Sequence, residues 1–322
     1  MNFTDTELRT WDRQRLRVGR DKRKQLLAQV ATLIEKLEKA IPANSPFTVV
    51  RFRRAGSLPK ATALHPRGDT GIDADVAVYL DDSQTNDYDL LTMQDTLRAI
   101  VRGVYPTKND NDFWVQPHTL GMQFHASGLK VDLVPLLAIP DEAQEAWMVT
   151  STGARAHKTS IPGHLGFVRE LANADNRYRP LVRMCKAWRN HAELGDELGS
   201  FPVELILGHL HATKGAPATL EDGLQRFFLY LAQSALQEPI VSGHRKSSMP
   251  QAPVVILDPV NADNNVTARM SELDRQGVVS AATEAWETLM TAYHNGYKGE
   301  TLSLWREVFG STFNVLAEEI AA

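Results

Sequence analysis

Ile72-Asp-Ala-Asp-Val-Ala-Val-Tyr-Leu80 is an apolar, β-branched run interrupted twice by aspartate. It reads as a strand that stops at the Asp81-Asp82-Ser83 turn. Side chains alternate across a strand, so Asp73 and Asp75 lie on one face, and Ala74 and Val76 lie on the other. Two like charges held side by side need a counter-charge or a cation. Read alone, an Asp-x-Asp is more commonly a strand end whose carboxylates face solvent, so the surrounding sequence has to decide.

Upstream, the run Phe47 to Phe52 is a second short strand, and it stops at Arg53-Arg54-Ala55-Gly56-Ser57. A Gly-Ser turn offers exposed N–H groups and a hydroxyl that can hold phosphate oxygens. A Pro-, Gly- and Thr-containing loop with Thr62-Ala63 leads into the aspartate strand. Downstream, Leu90 to Val104 has helical spacing, a strand lies near Phe113 to Val115, and Met122–His125, Ser127-Gly128 and Leu129–Ile139 read as a hairpin. Within that hairpin, Lys130-Val-Asp-Leu-Val-Pro135 places Asp132 between apolar neighbours, where an isolated carboxylate is expensive to bury. Asp132 either turns to the surface or joins Asp73 and Asp75. Three converging carboxylates suit Mg²⁺, which takes oxygen ligands and leaves room for substrate phosphate.

The N-terminal segment is basic, with Arg9, Arg13, Arg15, Arg17, Arg20, Lys22, Arg23 and Lys24, and then turns apolar at helical spacing from Leu26 to Leu37. It predicts one long helix ending near Pro42, its basic half solvated or set against acidic neighbours. From Gly163 onward the pattern is helical: His164–Ala172, Tyr178–His191, Phe201–Leu210, Leu220–Leu236, Ala268–Tyr293 and Leu302–Phe309, with a short strand at Val254–Leu257. The expected organisation is α+β. Residues 1–160 form a mixed catalytic lobe with the N-terminal helix, residues 161–322 a helical nucleotide-binding lobe, and the stretch from Thr150 to Pro162 connects them.

Composition narrows the function. A chain of 322 residues has room for two lobes, and its 35 Lys and Arg against 39 Asp and Glu give no global attraction to nucleic acid or anionic membrane. A single cysteine, Cys185, excludes an internal disulfide and a multi-thiolate zinc site, and it reads as a small core residue. No apolar stretch reaches the roughly 18 residues of a membrane span, and the first residues lack a secretory pattern, so the cytoplasm is the expected compartment. The basic loop Ser242-Gly-His-Arg-Lys-Ser-Ser248 reads as solvated.

In order, Gly56-Ser57, Thr62-Ala63, Asp73-Ala-Asp75 and Val131-Asp-Leu-Val-Pro135 resemble the nucleotidyltransferase superfamily with the DNA-polymerase-β-like palm. The long loop after Gly-Ser is closer to the bacterial CD-NTases, relatives of oligoadenylate synthase and cyclic GMP-AMP synthase. Leu181-Val-Arg-Met-Cys-Lys-Ala-Trp188 resembles the family helix whose lysine contacts the donor triphosphate, here Lys186. Ser200-Phe-Pro-Val-Glu204 resembles the next helix start, where a serine approaches phosphate. Leu257-Asp-Pro-Val-Asn-Ala-Asp-Asn-Asn265 is similar to an Asp-Pro loop of the family, which adds Asp258 and Asn265 to the nucleotide-binding residues, although both also suit a plain turn.

The resemblance implies a polymerase-β-like palm with a helical second lobe and a cyclic di- or trinucleotide second messenger made from nucleoside triphosphates such as ATP and GTP. Asp73, Asp75 and Asp132 would hold two Mg²⁺ ions, or Mn²⁺ in their place, with Asp132 as proton acceptor. The donor and acceptor would lie in the cleft between the lobes. A downstream effector in anti-phage signalling would read the product. Two rivals remain at this stage: a template-independent polymerase or tRNA-end-adding enzyme of the poly(A)- or CCA-adding type, and a nucleotide-binding module without catalysis.

Overall fold

A computed structural model of the chain describes residues 3–66, 70–81, 87–140, 142, 144–150, 152–242 and 249–313. The Asp82-Ser83 turn and residues 243–248 of the basic loop lie outside the described residues. The chain divides into two compact units, Val18–Gly166 and Met1–Arg17 with Phe167–Ala322.

The first unit is a mixed sheet backed by helices. Its elements are α2 (Arg20–Asn44), β1 (Val49–Ala55), the short α3 (Ser57–Lys60), β2 (Ile72–Asp81), α4 (Asp87–Val104), β3 (Phe113–Val115), β4 (Leu120–Phe124), β5 (Leu129–Ala138), β6 (Ala146–Val149) and β7 (Arg155–Thr159). The sheet order is β1-β2-β5-β4-β3, with β6 also on β5 and β7 on β6. β2 and β5 run parallel, and the other pairs are antiparallel.

The alternation read from the sequence sets which face is buried. Val76, Val78 and Leu80 of β2 join Val131, Leu133 and Leu137 of β5 in the main core, closed by Leu26, Val30, Leu33 and Leu37 of α2 and Met93 and Leu97 of α4. The opposite face has a smaller core of Ala77, Tyr79, Val134, Leu136 and Ala146, with Ile161 packed on it. The aspartates belong to this second face.

The stretch expected to be a connection between lobes is partly sheet, because β7 pairs with β6. Its sequence, Arg-Ala-His-Lys-Thr, has no apolar alternation and is half solvent-facing. The boundary between the units falls instead inside α5 (Ile161–Ala174).

The helical unit contains α6 (Tyr178–His191), α7 (Ser200–Lys214), α8 (Leu220–Ser234), α9 (Glu272–His294) and α10 (Lys298–Phe309). Trp188 packs edge-on against Phe228 with ring centroids 5.0 Å apart. Cys185 is buried there as a free thiol. Val254–Leu257 does not form a strand and makes only isolated bridges, Ile256 to Ile240 and Leu257 to Asn265.

The single N-terminal helix of the sequence reading is broken in two. α1 (Asp5–Trp11) runs into a π-helical turn (Asp12–Leu16), Arg17 is extended, and α2 starts after Gly19 and passes Pro42 to end at Asn44. The break separates two burial partners. Trp11 lies 4.7 Å from the Phe313 ring in the helical unit, whereas Leu26, Val30 and Leu33 face the sheet. Asp12 fixes the first segment further, accepting from Arg183 Nε and Nη2 at 2.6 Å each, with both residues buried.

Candidate active site

Asp75 and Asp132 are direct partners across the parallel β2–β5 pair, and Asp73 lies two residues before Asp75 on the same face. The structure therefore brings all three predicted acids to one patch. Burial raises the Asp132 carboxyl first, the charges of Asp75 and Asp73 raise it further, and together they push it up to about 6. The Trp114 indole and Lys130 pull the other way. Asp73 is the most exposed of the three, yet its carboxyl is also raised by the protein around it, against Lys130.

The Gly-Ser turn closes on this patch. Gly56 has φ +71°, and a Cβ there would lie 1.6 Å from Asp75 Oδ2. Only glycine leaves space for that carboxylate and also adopts the left-handed backbone without strain. Ser57 follows as the first residue of α3, and Thr62 N–H donates to Ser57 O at 3.0 Å. Arg23 of α2 supports the turn from behind, donating to Leu58 O at 2.8 Å and Pro59 O at 3.0 Å.

The donor set fits a hard divalent cation. It is carboxylate only, Asp75 and Asp73 raise the pKa of Asp132, and Asp132 Oδ1 is buried without a hydrogen-bond partner. Among the described residues, no three acidic, imidazole or thiol groups are already drawn in as a coordination cluster. The structure thus sets the three carboxylates on paired strands without drawing them into a coordination cage.

A pH prediction follows from the raised carboxyl. An acid whose folded pKa exceeds its unfolded value binds more protons when folded, so it costs stability as pH rises from about 4 to about 6. In the presence of a chelator, Asp132→Asn should melt higher than the parent chain by a margin that grows across this window and is flat above it. Paired melting curves read the difference, and a margin independent of pH would refute the coupling.

In the helical unit, Lys186 and Glu204 form a buried ion pair at 3.0 Å, and Tyr178 OH donates to Glu204 O at 2.9 Å. Ser200 opens α7 and is exposed, its Oγ accepting from Arg189 Nη1 at 2.8 Å. Asp258 and Asn265 are turned to another task. Asp258 accepts from Val260 N and Asn264 Nδ2, while Asn265 accepts from Ile256 N and Thr267 and donates to Val254 O. Both side chains are buried and hold the loop's own shape.

No protein-family model matches the chain. Over 317 residues, covering 98% of this chain and 99% of the relative, it is 33% identical to the CBASS oligonucleotide cyclase CdnC of Escherichia coli strain KTE188. The chain belongs to the oligonucleotide cyclases of the CD-NTase family. This cyclase is also 30% identical over 295 residues to the cyclic AMP-AMP-AMP synthase of E. coli strain MS 115-1, covering 88% of this chain and 90% of that one. The solved structure of E. coli MS115-1 CdnC with ATP superposes on the cyclase with a TM-score of 0.82 at 28% identity, over 97% of this chain and 99% of the other. The polymerase-β-like nucleotidyltransferase fold is thereby established.

Several residues that contact the predicted site positions carried no usable signal in the sequence. Gly121 is one: a Cβ there would lie 1.8 Å from Trp114, so its absence lets the indole lie across β4 beside Asp132. Arg23 is another, hidden in a basic run that read as a solvated face. Glu204 stood within a quoted motif, but nothing in the spacing marked it as the partner of Lys186.

Proposed function

We propose that this cyclase joins nucleoside triphosphates through Asp73, Asp75 and Asp132, with two Mg²⁺ ions, or Mn²⁺ in their place, held by those three carboxylates. The observation that carries the reading is the register of β2 against β5, which sets Asp75 opposite Asp132 with Asp73 on the same face. Bound divalent ions would supply charge neutralisation at the α-phosphate and the leaving pyrophosphate.

The remaining roles belong to the chain's own residues. Asp132, whose carboxyl is pushed up to about 6 by burial and its acidic neighbours, accepts the proton of the attacking ribose hydroxyl. The hydroxyl oxygen bonds to the α-phosphorus, the bond to the β-phosphate bridging oxygen breaks, and pyrophosphate leaves. The Gly56-Ser57 turn, Lys186 and Ser200 orient phosphate oxygens, so that positioning and electrostatics contribute most of the acceleration. Repeating the transfer on the linear product closes a ring.

Similarity to a cyclic AMP-AMP-AMP synthase favours ATP as substrate and a trinucleotide ring. The product serves as a second messenger in anti-phage defence, read by a downstream effector. Incubating the pure protein with each labelled triphosphate and Mg²⁺, without primer, should give short products that resist phosphatase, and mass spectrometry should find a cyclic adenylate. A ladder of linear products, or strict dependence on tRNA, would overturn the cyclic reading.

A further inference from the structure

α6 carries cations at Arg183, Lys186 and Arg189, each three residues from the next and therefore neighbours on one stripe of the helix. Two of them are neutralised by buried carboxylates, Arg183 by Asp12 at 2.6 Å and Lys186 by Glu204 at 3.0 Å. Arg189 is different. Its Nη1 donates to Ser200 Oγ at 2.8 Å and Leu198 O at 3.3 Å, and its Nε and Nη2 reach Asn190 Oδ1 at 3.1 and 2.7 Å. All of these acceptors are neutral. None of the acids that follow it, Glu193, Asp196 and Glu197, makes an ion pair with it, and Arg189 has no carboxylate partner among the described residues.

Burial disfavours the charge on Arg189 and lowers its pKa, but a guanidinium stays protonated at any ordinary pH. A half-buried cation without a counter-charge is unfavourable until an anion arrives. Ser200 Oγ, having accepted from Arg189, still has its own hydroxyl proton to donate. Both groups can therefore face one phosphate. Lys186, by contrast, already forms a neutral pair with Glu204 and adds less net attraction.

We infer that Arg189 and Ser200 form a phosphate-binding site of the helical unit, with Arg189 as a further substrate-contacting residue that takes the triphosphate. The inference rests on the proposed role of Ser200 at the donor phosphates.

The test is isothermal titration of the full-length protein with a non-hydrolysable ATP analogue and, separately, with adenosine. Arg189→Ala should weaken the triphosphate analogue about tenfold or more, the size of a lost charge-assisted contact, and leave adenosine unchanged. Arg189→Lys should fall between, because the charge remains and the fork is lost. An unchanged affinity for the analogue overturns the inference, as does an equal loss for adenosine, which would mark a misfolded helix end. If Ser200→Ala weakens the analogue and Arg189→Ala does not, Arg189 alone is wrongly assigned. If neither variant matters, the donor role of Ser200 falls as well.

Discussion

Asp75→Asn should release pyrophosphate at least about 10³-fold more slowly than the parent chain while melting at the same temperature or higher. The two halves of this result have one cause. Asp75 faces Asp132 across two paired strands and raises its pKa, so removing the charge relieves repulsion within the folded state. The same carboxylate is a proposed ligand for the divalent ions, whose stabilisation of the transition state is worth several kcal/mol, and each 1.36 kcal/mol is tenfold in rate. Asparagine keeps the size and loses the charge. A pyrophosphate-release assay with ATP and Mg²⁺, run beside a melting curve, reads both halves. An active variant would remove Asp75 from the chemistry, and an inactive variant that is also unfolded would make its role structural.

Asp12→Ala should destabilise the protein by about 3–5 kcal/mol, the cost of breaking a buried ion pair by deleting one partner. Arg183 and Asp12 are each 3% exposed and are joined by two bonds of 2.6 Å. The alanine variant leaves the buried guanidinium without this counter-charge, while Asp12→Asn keeps a hydrogen-bond acceptor and should lose less. Replacing both residues by apolar side chains of similar volume should recover much of the loss, because the pair itself is nearly neutral in net worth against a packed isostere. Chemical denaturation followed by tryptophan fluorescence measures all three variants. A loss below about 1 kcal/mol for Asp12→Ala would mean that the π-helical turn is held by its aromatic neighbours alone.

The acids were legible because their signal is local. Period-two alternation put Asp73 and Asp75 on one face, and apolar flanks made Asp132 conspicuous. Their meeting stood as one of two alternatives until the family resemblance, since the register of β2 on β5 depends on pairing between distant segments. The same limit hid the break after Trp11. Nothing near Asp12 reveals a partner 171 residues away, so a basic run followed by an apolar one read as a single helix. β7 was missed for another reason: a polar edge strand has no alternating pattern to read. Asp258 and Asn265 show that residue types suited to a ligand also suit the shaping of their own loop, which the sequence cannot separate.

The return of residues 1–17 to the helical unit has a consequence for biosynthesis. Val18–Gly166 is contiguous and can condense on the ribosome as soon as it emerges. The helical unit cannot, because Trp11 must wait for Phe309 and Phe313, and Asp12 for Arg183. Residues 1–17 are therefore made well before the partners they dock on, across a long loop whose closure slows assembly more than it costs stability. During that interval the nascent chain carries an unsatisfied aromatic hook at Trp11, which places an aggregation hazard of this cyclase in residues 1–17.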